Sequence, residues 1–177
     1  MSNIARERRA SDYRELMSMQ GPMLKVRPIS GRAPYIDEYE LTIFVRSIVG
    51  PEPTYRSIHV VRLTAPAGYP TQENLRAVMI TKPYPFHPNW FKSGAWCCGA
   101  STFAGEGAGA YVKRLMQTLQ FDPHGINLSS IANMDSARWY REKKNVKGLF
   151  PCDSSTLPEP GSEGIVVRRV LRNSQDN

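Results

Sequence analysis

Apolar residues in the first twenty positions fall at Ile4, Tyr13, Leu16 and Met17 among charged neighbours, a loose helical spacing that Gly21-Pro22 interrupts. The pattern predicts a mostly solvated amphipathic helix over 4–19. Four extended segments follow: Met23 to Ile29, Asp37 to Val49, Arg56 to Thr64 and Asn74 to Thr81. Turn-forming runs such as Ser30-Gly31, Gly50-Pro51-Glu52-Pro53 and Pro66-Ala67-Gly68-Tyr69-Pro70 bound them, and the connections are short. Consecutive antiparallel pairing into a four-stranded meander is therefore the simplest topology. From Tyr84 to Gly109 no period is sustained, which predicts a long irregular stretch over the sheet, and loops of that length are usually functional. Tyr111, Leu115, Met116 and Leu119 return to helical spacing before Asp122-Pro123 closes the helix. A last helix, Ser129 to Lys144, carries Ile131, Met134, Trp139 and Tyr140.

The run PCDSSTLPEPGSEG after it has the composition of a linker. IVVRRVLRN beyond that is short, apolar and basic, and reads as a strand or a helical turn. The fold class expected is α+β, with one domain over 1–150 and an extension over 151–177. A chain of 177 residues, 41% of them hydrophobic, supports one core of ordinary size. There are no internal repeats. No run of about 18 apolar residues occurs and the N-terminus lacks a signal peptide's apolar stretch, so a soluble, cytoplasmic protein with no membrane partner is expected.

The formal charge is +7. Much of it lies in two terminal blocks, Arg6, Arg8, Arg9 and Arg14, then Arg168, Arg169 and Arg172, which suggests docking arms rather than a nucleic-acid groove. Cys97, Cys98 and Cys152 are too few and too oddly spaced for a disulfide framework, so a reducing compartment suits them. Adjacent cysteines cannot easily share a tetrahedral ion, and no second CxxC half-site exists; no metal is expected.

A nucleophilic cysteine needs thiolate character, access, and a donor for the oxyanion formed when a carbonyl is attacked. The run FHPNWFKSGAWCC sets the carboxamide of Asn89 before Cys97, with Pro88 to stiffen the approach and Gly94 to permit a turn. Taken alone, these residues read as readily in bland terms: both cysteines as small buried hydrophobes, Asn89 as a turn residue, His87 as a brace for loop backbone.

The spacing of Tyr69-Pro70, His87-Pro88-Asn89, Gly94 and Cys97 resembles the active-site signature of ubiquitin-conjugating enzymes, and the order of predicted elements agrees over residues 4 to 144. The resemblance implies that family's fold. It also implies a carrier that accepts a ubiquitin-like protein from an activating enzyme as a Cys97 thioester and passes it to a target amine. By register the nucleophile is Cys97, and Cys98 takes a packing position. Asn89 is implied to stabilise the oxyanion, His87 to brace the loop with Pro88 and Gly94, and Arg6, Arg8, Arg9 and Arg14 to dock the activating enzyme. No metal or organic cofactor is implied. The family often carries an aspartate that orients the incoming lysine, and the nearest positions here are His124 and Asn127. Gly99 to Gly109, rich in Gly and Ala, departs from the usual post-cysteine segment. The short form looks more like bacterial relatives encoded beside activating enzymes, ubiquitin-like proteins and deubiquitinase-like peptidases, a setting of antiviral defence. Two rivals remain at this level: a cysteine hydrolase using Cys97 with His59 or His124, and a catalytically silent binding module on the same scaffold.

Overall fold

The computed structural model describes residues 2–99, 106–152 and 157–161. IVVRRVLRN, with Arg168, Arg169 and Arg172, lies outside them, as does the segment 100–105. Helix α1 (Asn3–Ser18) leads into strands β1 (Leu24–Arg32) and β2 (Tyr35–Ile43), a short hairpin of β3 (Ser47–Ile48) and β4 (Tyr55–Arg56), then β5 (His59–Thr64) and β6 (Arg76–Met79). Helices α2 (Ala108–Leu119) and α3 (Met134–Lys143) flank a 3-10 turn, Pro123–Gly125. The sheet order is β1-β2-β5-β6, all antiparallel, with Leu24 opposite Ile43, Ile43 opposite His59 and Thr64 opposite Arg76. Alternation puts Tyr39, Leu41 and Ile43 with Val61, Leu63, Ala77 and Met79 on one face, where they close a core with Leu115, Met116 and Leu119 of α2.

The larger departures from the sequence-based expectation are at the second strand, the last helix and the segment around Leu157. The segment expected as one strand from Asp37 to Val49 leaves the sheet at Ile43. The Gly50–Pro53 turn folds Ser47 and Ile48 back onto Arg56 and Tyr55 before they can extend the main ladder. The last helix starts at Met134 instead of Ser129, because the Asn133 side chain caps it by accepting from the Ser136 N–H at 3.2 Å. The N–H groups of Ala132 and Asn133 are already committed to the Pro88 carbonyl, at 2.8 and 3.0 Å. Leu157 belongs to the core although the composition around it reads as linker, and Gly161 N donates to Ser18 Oγ at 3.2 Å.

Helix α1 meets the rest of the molecule through polar groups. Its buried stripe is Ala5, Arg9, Asp12 and Leu16, so half of it is ionisable. The first turn of α2 begins at Gly107, which has no side chain to cap it, and α1 supplies the missing acceptors. Asp12 accepts from Ala108 N at 2.9 Å, and Glu15 accepts from Gly109 N at 3.0 Å. A Cβ at position 107 would push aside the Glu15 carboxylate that accepts from Gly109 N, so glycine there lets the cap form. Asp12 also accepts from the Tyr69 hydroxyl at 2.6 Å and pairs with Arg8 at 3.3 Å.

These contacts correct one expectation. Arg9 is 4% exposed, pairs with Asp37 at 2.8 Å and donates to the carbonyls of Ala65, Pro66 and Tyr69, so it is a buried staple and offers nothing to a docking partner. Arg8 is half-buried and bonded to the Tyr69 hydroxyl and the Glu106 carbonyl. Of the four arginines, Arg6 and Arg14 are exposed, Arg6 lying over the Tyr35 ring.

Replacing Asp12 with Ala removes one of the two acceptors that cap α2, the acceptor for the buried Tyr69 hydroxyl, and the carboxylate paired with half-buried Arg8. Chemical denaturation should show a loss on the order of 3 kcal/mol. Arg27→Ala, which breaks a pair with Glu40 whose arginine is 65% exposed, should cost about 0.5 kcal/mol or less. Equal effects from the two substitutions would contradict the capping account.

Candidate active site

The loop from His87 to Cys97 folds as a small hairpin against the free edge of β6. Trp96 N donates to Ala77 O at 3.0 Å, Met79 N donates to Gly94 O at 2.8 Å, and Trp90 bridges Trp96. The edge of the sheet is thereby covered, and Cys97 stands where the hairpin leaves it. Gly94 has φ +92°, and a Cβ there would meet the Tyr84 ring at 2.9 Å and the Met79 carbonyl at 3.0 Å. Its carbonyl also accepts from Trp90 Nε1 at 2.8 Å. The expected turn at Gly94 is thus a position that both backbone conformation and space reserve for glycine.

The His-Pro-Asn triplet is fully buried and works by holding other backbone. His87 Nδ1 accepts from the Asn89 N–H at 3.0 Å, and the ring lies 4.5 Å from Phe121. Complete burial pushes its pKa down to about 3, so the ring is neutral, and its one lone pair is committed to the Asn89 N–H. Pro88 presents its carbonyl to Ala132 and Asn133, as described above. Asn89 uses its whole carboxamide on the segment before α3. Nδ2 donates to Asn127 O at 2.7 Å and to Ser130 O at 2.8 Å, while Oδ1 accepts from Asn127 N at 2.8 Å. In this arrangement both amide hydrogens are engaged, and neither is directed at the sulfur.

Cys97 is half-buried, its N–H donating to Asn89 O at 2.9 Å. Its sulfur lies 3.3 Å from Ser130 Oγ. Ser130 is a neighbour that sequence reasoning missed, since 126–133 has no period or motif to mark it. Beside the sulfur is an open cavity of about 190 Å3 lined by Asn89, Cys97, Cys98, Arg114, His124 and Asn127 among others. Arg114 is bidentate to Glu106, donates to the Cys98 carbonyl at 2.7 Å and lies over the Trp96 ring. Nothing in the helical spacing of α2 distinguished it from a solvated arginine. Cys98 packs against the core with its thiol pushed up by burial, an effect that Arg114 partly offsets. Cys152 is exposed and lines a different cavity, with Met23 and Phe44.

The two histidines raised as bases part company. His59 is buried in β5, bonded to Val45 O at 3.1 Å with its pKa lowered to about 4 by burial, and it is not among the residues lining the Cys97 cavity. His124 does line that cavity. Asn127 does as well, with its backbone fastened to Asn89. Among the described residues no three His, Cys, Asp or Glu side chains are placed to hold a metal ion, and no helix is long and apolar enough to cross a membrane.

No protein-family model matches the sequence, and no curated protein matches it either. Among solved structures, the crystal structure of ubiquitin conjugating enzyme E2 UbcA1 from Agrocybe aegerita aligns with a TM-score of 0.51 at 16% identity, covering 79% of this chain and 95% of that one. The chain therefore has the ubiquitin-conjugating-enzyme fold: an N-terminal helix, a four-stranded antiparallel sheet and further helices.

His87 and His59 are held neutral with pKa values below that of an unfolded histidine, about 6.5. Their contribution to stability is complete above that pH and is lost as pH falls toward about 3 for His87 and about 4 for His59. Urea unfolding at about pH 7 and about pH 4.5 should show this loss in the wild type. His87→Asn keeps an acceptor for the Asn89 N–H without the titration, and should lose less over the same interval. An unchanged difference would show that His87 is not buried as the neutral ring.

Proposed function

We propose that this chain is a conjugating enzyme of the ubiquitin type, carrying a ubiquitin-like protein as a thioester on Cys97. The observation that carries the reading is the position of the Cys97 sulfur. It stands half-exposed at the end of a hairpin fastened to β6, beside an open polar cavity, in a chain with the fold of conjugating enzymes. A carrier must admit two large partners in turn to one sulfur, and a shallow open site suits that better than a deep pocket.

In the first step the Cys97 thiolate attacks the thioester carbonyl presented by an activating enzyme, whose own thiolate leaves. One thioester replaces another, so alignment is the main requirement. In the second a target amine attacks the Cys97 thioester, an amide forms and the thiolate is released. Neither step needs a metal or an organic cofactor, and ATP is consumed by the activating enzyme. His87, Pro88 and Gly94 hold the loop. For Asn89 to donate to the tetrahedral oxyanion, one of its bonds to Asn127 O or Ser130 O has to be exchanged for the substrate, and that is the role we assign it during aminolysis. The exposed residues Arg6 and Arg14 are the α1 arginines that remain for contact with the activating enzyme.

Incubation with activating enzyme, ubiquitin-like protein and ATP, followed by a non-reducing gel, should give a thiol-sensitive adduct. Cys97→Ala should abolish it, while Cys98→Ala and Cys152→Ala should still charge. An adduct that survives Cys97→Ala and requires Cys98 would overturn the assignment. No adduct at all would favour the silent binding module.

Asn89→Ala should charge at close to the wild-type rate but discharge to free lysine about 10²- to 10³-fold more slowly, the usual loss for one oxyanion donor. Single-turnover discharge separates the steps. Equal slowing of both would confine Asn89 to holding the 127–130 segment.

A further inference from the structure

The C-terminal end of α3 borders a groove that shares no residue with the Cys97 cavity or the core. One wall is the β3–β4 turn, where Pro51 and Pro53 have fixed φ and no N–H, and where Val49 N closes the turn by donating to Thr54 O at 2.8 Å. The other wall is Val146 and Leu149, in the turn after α3. Tyr55 ties the walls together, its hydroxyl donating to Leu149 O at 2.8 Å. Trp139 also lines the space, half-buried, its ring held by edge contacts to Phe86 at 5.6 Å and Phe150 at 5.8 Å. The cavity is about 270 Å3, larger than the roughly 150 Å3 that holds a benzene ring in an apolar interior. Val146 is 48% exposed, a valine that packing within this chain does not bury.

The rim is more cationic than the helix requires. Arg141, Lys143, Lys144 and Lys147 are all exposed, none is in an ion pair among the described residues, and Lys143 lines the groove itself. The C-terminus of a helix presents about half a negative charge, which one cation answers. Against the four stand Glu52, on the groove, and Glu142, on α3, so the excess draws an anionic partner. Its sign also selects among occupants. Segment 162–177 of this chain carries Arg168, Arg169 and Arg172 against Glu163 and Asp176, and a second copy would bring the same cations across a two-fold axis, so both are repelled. A flat anionic membrane surface would not reach the half-buried Trp139, and a nucleic acid would set its phosphates beside Glu52.

We propose that this groove takes a short acidic segment of a partner protein, one aliphatic side chain filling the space between the prolines and Trp139 while flanking carboxylates meet Lys143 and Lys147. Burial of the aliphatic side chain supplies most of the affinity, and the walls are already tied together, so little ordering opposes it. The rim cations act mainly on the association rate and lose effect with salt. The surface is independent of the carrier reading, since none of its residues lines the Cys97 cavity.

The test is fluorescence anisotropy of the full chain with a labelled peptide of one leucine flanked on each side by glutamates. Saturable binding in the micromolar range is expected, weakening as salt rises. A counterpart with lysines for the glutamates should not bind, and one with serine for the leucine should bind about 10-fold more weakly. Lys143→Glu combined with Lys147→Glu should weaken the glutamate peptide about 10-fold, and Val146→Ser about 5-fold. All three side chains are exposed, so both variants keep the fold. Trp90 and Trp96 are 0% and 7% exposed, so the unlabelled peptide should shift the emission of Trp139 to the blue, and Trp139→Phe should remove the shift. Equal binding of the serine counterpart, binding that the Lys143 and Val146 variants do not weaken, or no saturation at all would each overturn the assignment. So would displacement of the peptide by anionic phospholipid vesicles or a single-stranded oligonucleotide that binds more tightly, or self-association of the chain that Val146→Ser abolishes. No arm of the experiment loads Cys97, so the carrier reading stands or falls separately.

Discussion

The carboxamide of Asn89 is the constraint on which the site depends. It is buried, and each of its polar atoms meets backbone of the 127–130 segment, so the loop bearing Cys97 and the approach to α3 have one relative position. An amide buried without partners would cost several kcal/mol, which favours keeping the segment docked on it. Pro88 extends the same seam through its carbonyl, and the Cys97 N–H closes it from the other end on Asn89 O. The sulfur is thus positioned by backbone bonds on both sides, without a deep pocket to enclose it.

A second seam, along α1, explains why the helix is so polar. An apolar stripe would pack it on the core, but the surface it meets includes the uncapped N-terminus of α2 and the turn at Tyr69-Pro70, both of which present backbone polar groups. Carboxylates answer the first and a guanidinium answers the second. A buried ionic set of this kind adds little over a well-packed apolar one, yet it is costly to break on one side. It therefore enforces where α1 and α2 meet more than it adds to stability.

That seam is also where sequence reading went wrong. Periodicity and turn chemistry were enough for α1, the four main strands and α2, because each rests on alternation or on local punctuation. The loop and its cysteine were legible because several residues of distinct chemistry recur at set spacings, with Gly94 reporting its own backbone conformation. Arg8 and Arg9 were not, since an arginine among charged neighbours has the same local appearance whether its partner is water or a carbonyl some 57 residues away. Ser130 and Arg114 were missed for the same reason. Their roles come from tertiary neighbours, Cys97 in one case and Glu106 with the Cys98 carbonyl in the other.

The three histidines show how the fold sorts one residue type by solvation. His59 and His87 are withdrawn into the sheet and beneath the loop, where desolvation keeps them neutral and fixes them as bonding groups of invariant charge. His124 remains exposed, and its orientation comes from Asp122, which accepts from its backbone N–H and lies 3.0 Å from ring Nδ1, instead of from packing. A side chain left exposed at an open cavity cannot be held by burial. Its direction is fixed from beneath instead. Asp122 provides that support, and the preceding Phe121 makes the aromatic contact that braces His87 under the Cys97 loop.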